Sequence, residues 1–402
     1  MFLTSPLMVP IPGSVGAADL PGPDPEGPVE TTTEFDWDAT YKEFAATEHI
    51  TTEEARRAFS DSRPLYDFVL ANKDDARFGA VWVTYDQGYQ IHARYLEPSF
   101  SRLVDLLERE VGAKIYRHKG GASHIDLMHA IDVARNETSA PEFELNHPLG
   151  TIDFSADEKV DVDRYINPAF ARSVVFADEE IRLQAAGTDF EYKSGGIWSD
   201  ECTVGFEWGS SNWRGFATAG HCADPNNGTG RVNGLLTSNP GMTFLEHCSP
   251  QGGDYQHQEF AQPYNLSEYG WDKRTYPHPL IAFEIAGGYY TGQPTLKSGL
   301  WANGSIGSNV GTVQGFGSHE FPAGGDCWWG GGTWSALRYN NLSNGGDSGG
   351  PIFLSYGGSW FLAATHVAGP QLGSPGSRYG MWVPWITLPS GTHICRVSNP
   401  CN

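Results

Sequence analysis

Two short runs in the second half of the sequence hold residue types suited to nucleophilic chemistry. Gly345-Gly346-Asp347-Ser348-Gly349-Gly350-Pro351 sets a serine among glycines. A nucleophilic serine has to stand on a tight turn, and the oxyanion formed by its attack needs backbone N–H donors close by. Glycine at 346 can adopt a conformation that turns its N–H inward, and the N–H of Ser348 supplies a second donor. Ala217-Thr218-Ala219-Gly220-His221-Cys222 supplies a base. A serine hydroxyl is a weak nucleophile at neutral pH without a base in hydrogen-bond reach, and histidine titrates near neutrality. A glycine-rich turn or a histidine beside a cysteine would each be ordinary alone. The GDSGGP run with a histidine upstream is a poor match for chance.

These runs resemble the chymotrypsin-like serine peptidases, and the likeness extends to their chain order His…Asp…Ser. Cys202-Thr-Val-Gly-Phe and Phe216-Ala-Thr-Ala-Gly-His-Cys222 are similar to the opening of the bacterial streptogrisin and alpha-lytic protease-like branch. The resemblance implies an all-β fold of two six-stranded antiparallel β-barrels. It implies Ser348 as nucleophile, His221 as general base, an oxyanion hole from the N–H groups of Gly346 and Ser348, and a Cys202–Cys222 disulfide. It also implies a buried Asp347, paired with a new N-terminus made by processing or held by other hydrogen bonds. Asp254, in Gly253-Asp254-Tyr255, is expected as the triad acid, although Gln256-His257-Gln258 replaces the small and apolar residues usual after it. Asp224 stands too near His221 in sequence, and Asp272 lies in a charged run. The reaction implied is peptide hydrolysis through an acyl-enzyme, with no metal or organic cofactor.

Specificity is expected to lie in two segments. Arg338 to Ser348, with Ser343, and Ala364-Thr365-His366 are similar to the glutamyl-specific branch. Ser343 and His366 would then receive a carboxylate through charge-assisted hydrogen bonds. Leu342 stands where the family carries a cysteine, and Val367 where it carries a serine, so an apolar pocket lined by Leu342 stays open beside the acidic one. No aspartate sits at the expected pocket base, which argues against a Lys/Arg preference.

The elements that must position these residues change character along the chain. Residues 1–35 form a leader and a Pro-rich acidic linker. Phe2 to Val15 is partly apolar, but prolines at 6, 10 and 12 break it and no early Lys or Arg precedes it. That leaves a truncated start or a poor export signal. Residues 36–192 read as a small α/β domain, and Phe78-Gly-Ala-Val-Trp82-Val with the hairpin after it resembles the pro-regions of the family's smaller bacterial members, which implies that 36–192 is a pro-domain. Residues 51–59 predict a capped helix, and 79–85 with 89–95 predict a hairpin turning at Asp86-Gln87-Gly88. Ser101–Val111 predicts a helix with Leu103, Leu106, Leu107 and Val111 inward. A strand over 114–118 follows, then a helix capped by Ser123 with Ile125, Met128 and Ile131 inward. His118, His124 and His129 read as solvated or half-buried rather than as metal ligands. Residues 193–402 are rich in glycine turns, aromatics and short β-branched runs, as a β-barrel peptidase domain would be. The junction falls between about Ala185 and Gly196, since Gly195-Gly196 resembles the start of streptogrisin mature chains.

Charge divides the same way. Residues 1–192 carry 35 acidic against 17 basic residues, and residues 193–402 carry 13 against 9. No basic face is offered to nucleic acid, and no segment is long enough to span a bilayer. All six cysteines lie beyond residue 200, which reads as a disulfide framework and an oxidising, extracellular location. Cys248–Cys327 with Cys395–Cys401 is one of three pairings for the other four. Asn-X-Ser/Thr sequons stand at Asn136, Asn227, Asn265, Asn303 and Asn341. The expected partners are a protein or peptide substrate and the chain's own pro-domain, with a monomer as the default. A catalytically dead secreted binding module, and a permanent accessory domain in place of a pro-domain, are the competing readings.

Overall fold

The structure, a computed structural model, describes residues 35–137, 139–176, 182–183, 203, 205–210, 214–220, 229–232, 235–238, 244–249, 253–259, 269–271, 280–299, 307–321, 332–343, 347–370, 376–386, 388, 390–396 and 398–399. The expected leader and linker, most of the junction, and Cys202, Cys222, Cys327 and Cys401 lie outside them.

The N-terminal region opens with two helices. Helix α1 (Trp37–Thr47) starts at Asp36, whose side chain accepts from the Ala39 N–H. Helix α2 (Thr52–Asn72) starts with a reciprocal capping box between Thr51 and Glu54, as its sequence predicts, and runs on through Pro64. Its apolar stripe of Ala55, Ala58, Phe59, Leu65, Tyr66 and Val69 is buried, which outweighs the one backbone bond that Pro64 forgoes. Strands β1 (Phe78–Thr84) and β2 (Gln90–Tyr95) form the predicted hairpin around Gly88, which sits at φ 83°. Strand β3 (Ile115–Lys119) adds parallel to β2, and helices α3 (Ser101–Val111) and α4 (His124–Arg135) flank it in sequence.

Both of these helices exist as predicted, but each is rotated from its expected face. Helix α3 buries Val104, Leu107 and Val111 and leaves Leu106 52% exposed. Helix α4 buries His124, Leu127, Ala130, Ile131 and Ala134, while Ile125 is 43% exposed. Either stripe has helical spacing. The choice falls to the surfaces that α4 packs on, which are β1 and two strands from the far end of the chain. His118, His124 and His129 do not converge. His118 meets His92 at 3.2 Å, and His124 stacks on Phe78 and His147.

One buried cation organises this region. Arg94, 2% exposed, donates to the carbonyls of His147 (2.9 Å), Gly120 (2.8 Å) and Ala122 (2.6 Å). Gly150, at φ 68°, lies so close that a Cβ would stand 2.4 Å from its guanidinium. Strands β4 (Phe143–Asn146), β5 (Thr151–Ser155) and β6 (Ala171–Val174) follow, and then the two-residue β7 (Arg182–Leu183).

The C-terminal region is built almost wholly of strands. Strands β8 (Phe206–Gly209), β9 (Arg214–Thr218), β12 (Phe244–Ser249), β13 (Gly253–Glu259) and β22 (His393–Ile394) form one five-stranded sheet in the order β12-β13-β9-β8-β22. Strands β10 (Thr229–Val232) and β11 (Leu235–Ser238) pair apart from it. Strands β14 (Tyr269–Trp271) and β15 (Leu280–Ile285) lead into the second sheet. There β16 (Pro294–Gly299), β17 (Gly307–Phe321), β18 (Gly332–Tyr339), β21 (Arg378–Trp382), β20 (Ser359–Gly369) and β19 (Pro351–Tyr356) pair antiparallel in that order, and β19 pairs back onto β16. Six strands thus close a ring, which is one of the two expected barrels. Among the described residues the first sheet does not close.

The two regions share hydrogen bonds and a core. Strand β4 adds antiparallel to β17, so β4, β5 and β6 extend the second sheet. Trp37 stacks on Trp360, with ring centroids 5.5 Å apart, and Phe59 meets the same indole edge-on. Ser62 Oγ lies 3.0 Å from Ser355 Oγ, both buried, and the Tyr66 hydroxyl accepts from the Gly287 N–H at 2.6 Å. Tyr85 donates to the Gly292 carbonyl at 2.7 Å, and Glu144 pairs with Arg338.

Candidate active site

The site is assembled around the turn that joins β18 to β19. Asp347, Ser348, Gly349 and Gly350 are all buried. Backbone bonds pin this turn to Thr203, just before β8, and to β20 of the second sheet. The Ser348 carbonyl accepts from the Thr203 N–H at 2.6 Å, and Gly349 N–H donates to the His366 carbonyl at 2.7 Å. His366 N–H donates back to the Gly350 carbonyl at 2.8 Å. Glycine at 349 is demanded twice. Its φ is 89°, and a Cβ there would stand 1.9 Å from the Thr203 carbonyl oxygen and 2.0 Å from Thr218 Oγ1. Ser348 Oγ donates to the Val367 carbonyl at 3.0 Å.

A fully buried ion pair lies beneath the serine. Lys297 Nζ, on β16, meets Asp347 Oδ2 at 2.5 Å, and both side chains have no exposed surface. Lys297 also donates to the Leu342 carbonyl at 3.1 Å. Burial holds the lysine below its ordinary pKa, and the Asp347 carboxylate opposes that fall. Of the two partners open to Asp347, an internal hydrogen-bonding group is the one present in the intact chain. Sequence reasoning passed over Lys297. The available signal was the last lysine of the sequence, alone inside an otherwise uncharged strand.

The segment before the serine is fixed from its other side. Asn341 accepts from Thr295 Oγ1 at 2.5 Å and donates to the Asn309 carbonyl at 2.8 Å. Asn341 has no exposed surface, so its sequon is closed to a glycan in the folded chain, whereas Asn136 at the end of α4 is exposed. Leu342 is 37% exposed. Ser343 is buried, with its Oγ accepting from Arg378 Nε at 3.3 Å. His366 is buried, and its Nδ1 is in short contact with the Tyr339 hydroxyl. Arg378 and Tyr339, neither anticipated, therefore touch two of the three expected pocket residues.

The other expected catalytic groups stand as follows. His221 and Gly346 lie outside the described residues, and for Asp254 the backbone alone is described. That backbone runs in β13, which pairs antiparallel with β9, and Gln256 faces Thr218. The strand bearing Asp254 thus lies beside the one that leads into His221. Cys395 is fully buried and disulfide-bonded, and the described residues include no free cysteine. They also include no cluster of metal-ligating side chains, and no helix long and apolar enough to cross a membrane.

No family model and no curated protein matches the chain. Among solved structures it is similar to a Nocardiopsis protease, at 18% identity over 52% of this chain and 100% of that one, with a TM-score of 0.39. It is similar to protease A of Thermobifida fusca at 20% identity, over 51% of this chain and 98% of that one, with a TM-score of 0.38. A glutamic acid-specific serine protease that uses a histidine triad in substrate binding aligns at 22% identity, over 48% and 94%, with a TM-score of 0.36. At such values the functional reading rests on this chain's own residues.

Proposed function

We propose that the chain is a secreted serine endopeptidase of the chymotrypsin-like kind, made as a precursor. In this reading residues 36–192 are a pro-domain and residues 193–402 the peptidase, built on a pair of β-barrels. The observation that carries it is the pinned turn at Ser348, which holds a serine at the meeting of two sheets beside a strand edge. A buried Lys297–Asp347 pair supports the turn from below. Such fixed donors and dipoles are what an oxyanion site requires, because they need no rearrangement when charge develops.

The steps in this reading are those that the resemblance implies. His221 takes the proton of Ser348 Oγ, and Asp254 holds the imidazole tautomer. Ser348 attacks the scissile carbonyl, and the N–H groups of Gly346 and Ser348 receive the oxyanion. The acyl-enzyme is then hydrolysed by water. For specificity we infer an acidic P1 residue received by Ser343 and His366. The buried Arg378 guanidinium on Ser343 favours a carboxylate over a purely apolar pocket lined by Leu342.

Fluorophosphonate labelling of the secreted protein tests the reading, with Ser348→Ala beside it. Label on the Ser348 peptide that vanishes in the variant is the expected result. A folded protein that takes no label would favour the dead-relative reading. Equal cleavage of Glu and Gln peptides from about pH 5 to 8, where histidine titrates, would reject the acidic pocket.

A further inference from the structure

We propose that the cleft where α2 and α4 meet the C-terminal region is a binding site for a small, flat, uncharged aromatic molecule that carries a hydroxyl or N–H group. The site would bind whether or not the chain is a peptidase.

The cleft has a volume of about 510 Å³. Small-molecule sites usually measure about 300–1,000 Å³. Residues from both regions line it. On one side stand Val69 near the end of α2, and Ile125 and Met128 on α4. On the other stand Tyr289, Phe316, Trp382 and Trp385. These rings brace one another. Tyr289 stacks on Phe316 with centroids 5.7 Å apart, and Trp385 meets Phe316 edge-on at 5.0 Å. A wall of mutually fixed rings is a ready surface for one more ring.

The helix facing that wall has an apolar side chain to spare. Ile125 belongs to the stripe of α4 expected to turn inward, yet it is 43% exposed, and the cleft is what it faces. A ligand in the cleft would cover it, and that burial would contribute to binding.

A buried polar group gives the ligand its chemistry. His124 also lines the cleft and is only 8% exposed. Its ring packs on Phe78 and His147, and its side chain makes no hydrogen bond. A second void beside it, about 10 Å³, has room for one water at most, so it can serve one ring nitrogen at most. Leaving a buried polar group without a partner is costly, and a ligand that supplies one recovers that cost. Burial, and then Arg94 and Lys73, lower the His124 pKa to about 4. The neutral ring offers one donor and one acceptor, which a hydroxyl or a ring N–H can meet. The ionic groups around the mouth offset each other. Lys73 stands next to Asp74, and Asp132 lies 3.8 Å from Arg135, with His129 exposed beside them. A charged ligand would give up its hydration here without gaining a counter-ion, so an uncharged one is favoured.

The walls come from two regions, so a bound molecule touches both and stabilises the state in which they are joined. The probe is 2-naphthol, titrated by calorimetry into the full chain carrying Ser348→Ala, which keeps it intact. One molecule should bind per chain, with a Kd on the order of 0.1 mM. Replacing the probe by naphthalene, or His124 by leucine, should each weaken binding about threefold to tenfold. The two changes together should weaken it no further than either alone, because both remove the same hydrogen bond. The ionised 2-naphthoate should bind at least about tenfold more weakly than 2-naphthol. His124→Leu alters a buried position, so Ile125→Trp serves as the second variant. It places an indole in the cleft from an exposed position, and it should abolish binding with the urea midpoint unchanged. A parent chain that binds no 2-naphthol at about 1 mM overturns the proposal, as does an Ile125→Trp chain that binds it as well as the parent. Naphthalene binding as tightly as 2-naphthol would overturn it too. So would a parent chain that self-associates where Ile125→Trp stays monomeric, because a second copy would then be what covers α4.

Discussion

The two regions handle charge in opposite ways. The N-terminal region wears its ion pairs outside. Arg56 and Asp38 are 48% and 68% exposed, and Arg117, Asp105 and Glu108 form a second half-exposed group. Arg94, the one deeply buried Arg or Lys among the described residues of that region, bonds to backbone carbonyls instead of a carboxylate, and burial lowers its pKa to about 10. The C-terminal region carries fewer charges, yet seals Lys297 and Asp347 together with no exposed surface. Exposed pairs are screened and contribute little, whereas a sealed pair is costly to break from either side. Charge in the first region thus keeps a surface solvated, and in the second it fixes the geometry of one turn.

Lys297→Met is the sharpest way to break that contrast. It leaves Asp347 buried without its cation, and removal of one partner of a buried pair costs about 3–5 kcal/mol. Urea unfolding in a Ser348→Ala background reads the loss without self-cleavage, and labelling in the parent background reads the turn. We expect a large fall in midpoint and loss of label, with no change in midpoint for Arg56→Ala. A Lys297→Met midpoint as high as that of Arg56→Ala would remove the distinction between the regions.

A smaller effect should come from the histidines at the seam. Burial, more than the nearby Arg94, lowers the His124 pKa to about 4 and holds His147 well below its ordinary value. His147 Nε2 lies 3.0 Å from the Tyr289 hydroxyl of the C-terminal region. The unfolded chain takes up these protons near pH 6.5, and the folded chain refuses them until a lower pH. The stability they permit is therefore complete above about pH 6.5 and is lost as pH falls towards 4. For His124 the loss is roughly 2–3 kcal/mol. Glu48 and Glu142, raised mainly by burial, act the other way. The informative quantity is the difference between parent and His124→Gln. The variant should lose less stability between pH 7 and 4.5, and parallel profiles would reject the assignment.

What could be read from sequence divides by range. The capping box of α2 and the turn at Gly88 are set by neighbours, and both are visible as spacing. The GDSGGP turn is legible because its glycines meet steric demands, such as the approach of Gly349 to Thr203, that other residues cannot meet. The face of α4 was misread because the surfaces beside it come from β17 and β18, far along the chain. Lys297 was missed because its partner is 50 residues away and no local pattern marks the pairing. The addition of β4 to β17 was hidden for the same reason. Long-range strand pairing is also the slow step in folding such sheets, which gives a region that supplies a template strand a physical use.

The smallest effect separates the two readings of the N-terminal region. The Tyr66 hydroxyl accepts from the Gly287 N–H at 2.6 Å, with its ring edge-on to Tyr356 and Phe361. Burial pushes its pKa up to about 12, so it stays neutral. Tyr66→Phe keeps the ring contacts and takes that acceptor from Gly287, at a cost of about 1–2 kcal/mol. If residues 36–192 are a pro-domain, the cost falls on the precursor alone. The processed enzyme, which has shed Tyr66, should then match the parent in stability and turnover, while the separated variant pro-domain inhibits about tenfold more weakly. If the region is a permanent accessory domain, the active species itself should unfold at a lower urea concentration. One substitution, followed in precursor and product, therefore tells whether the seam holds a working enzyme together or holds it shut.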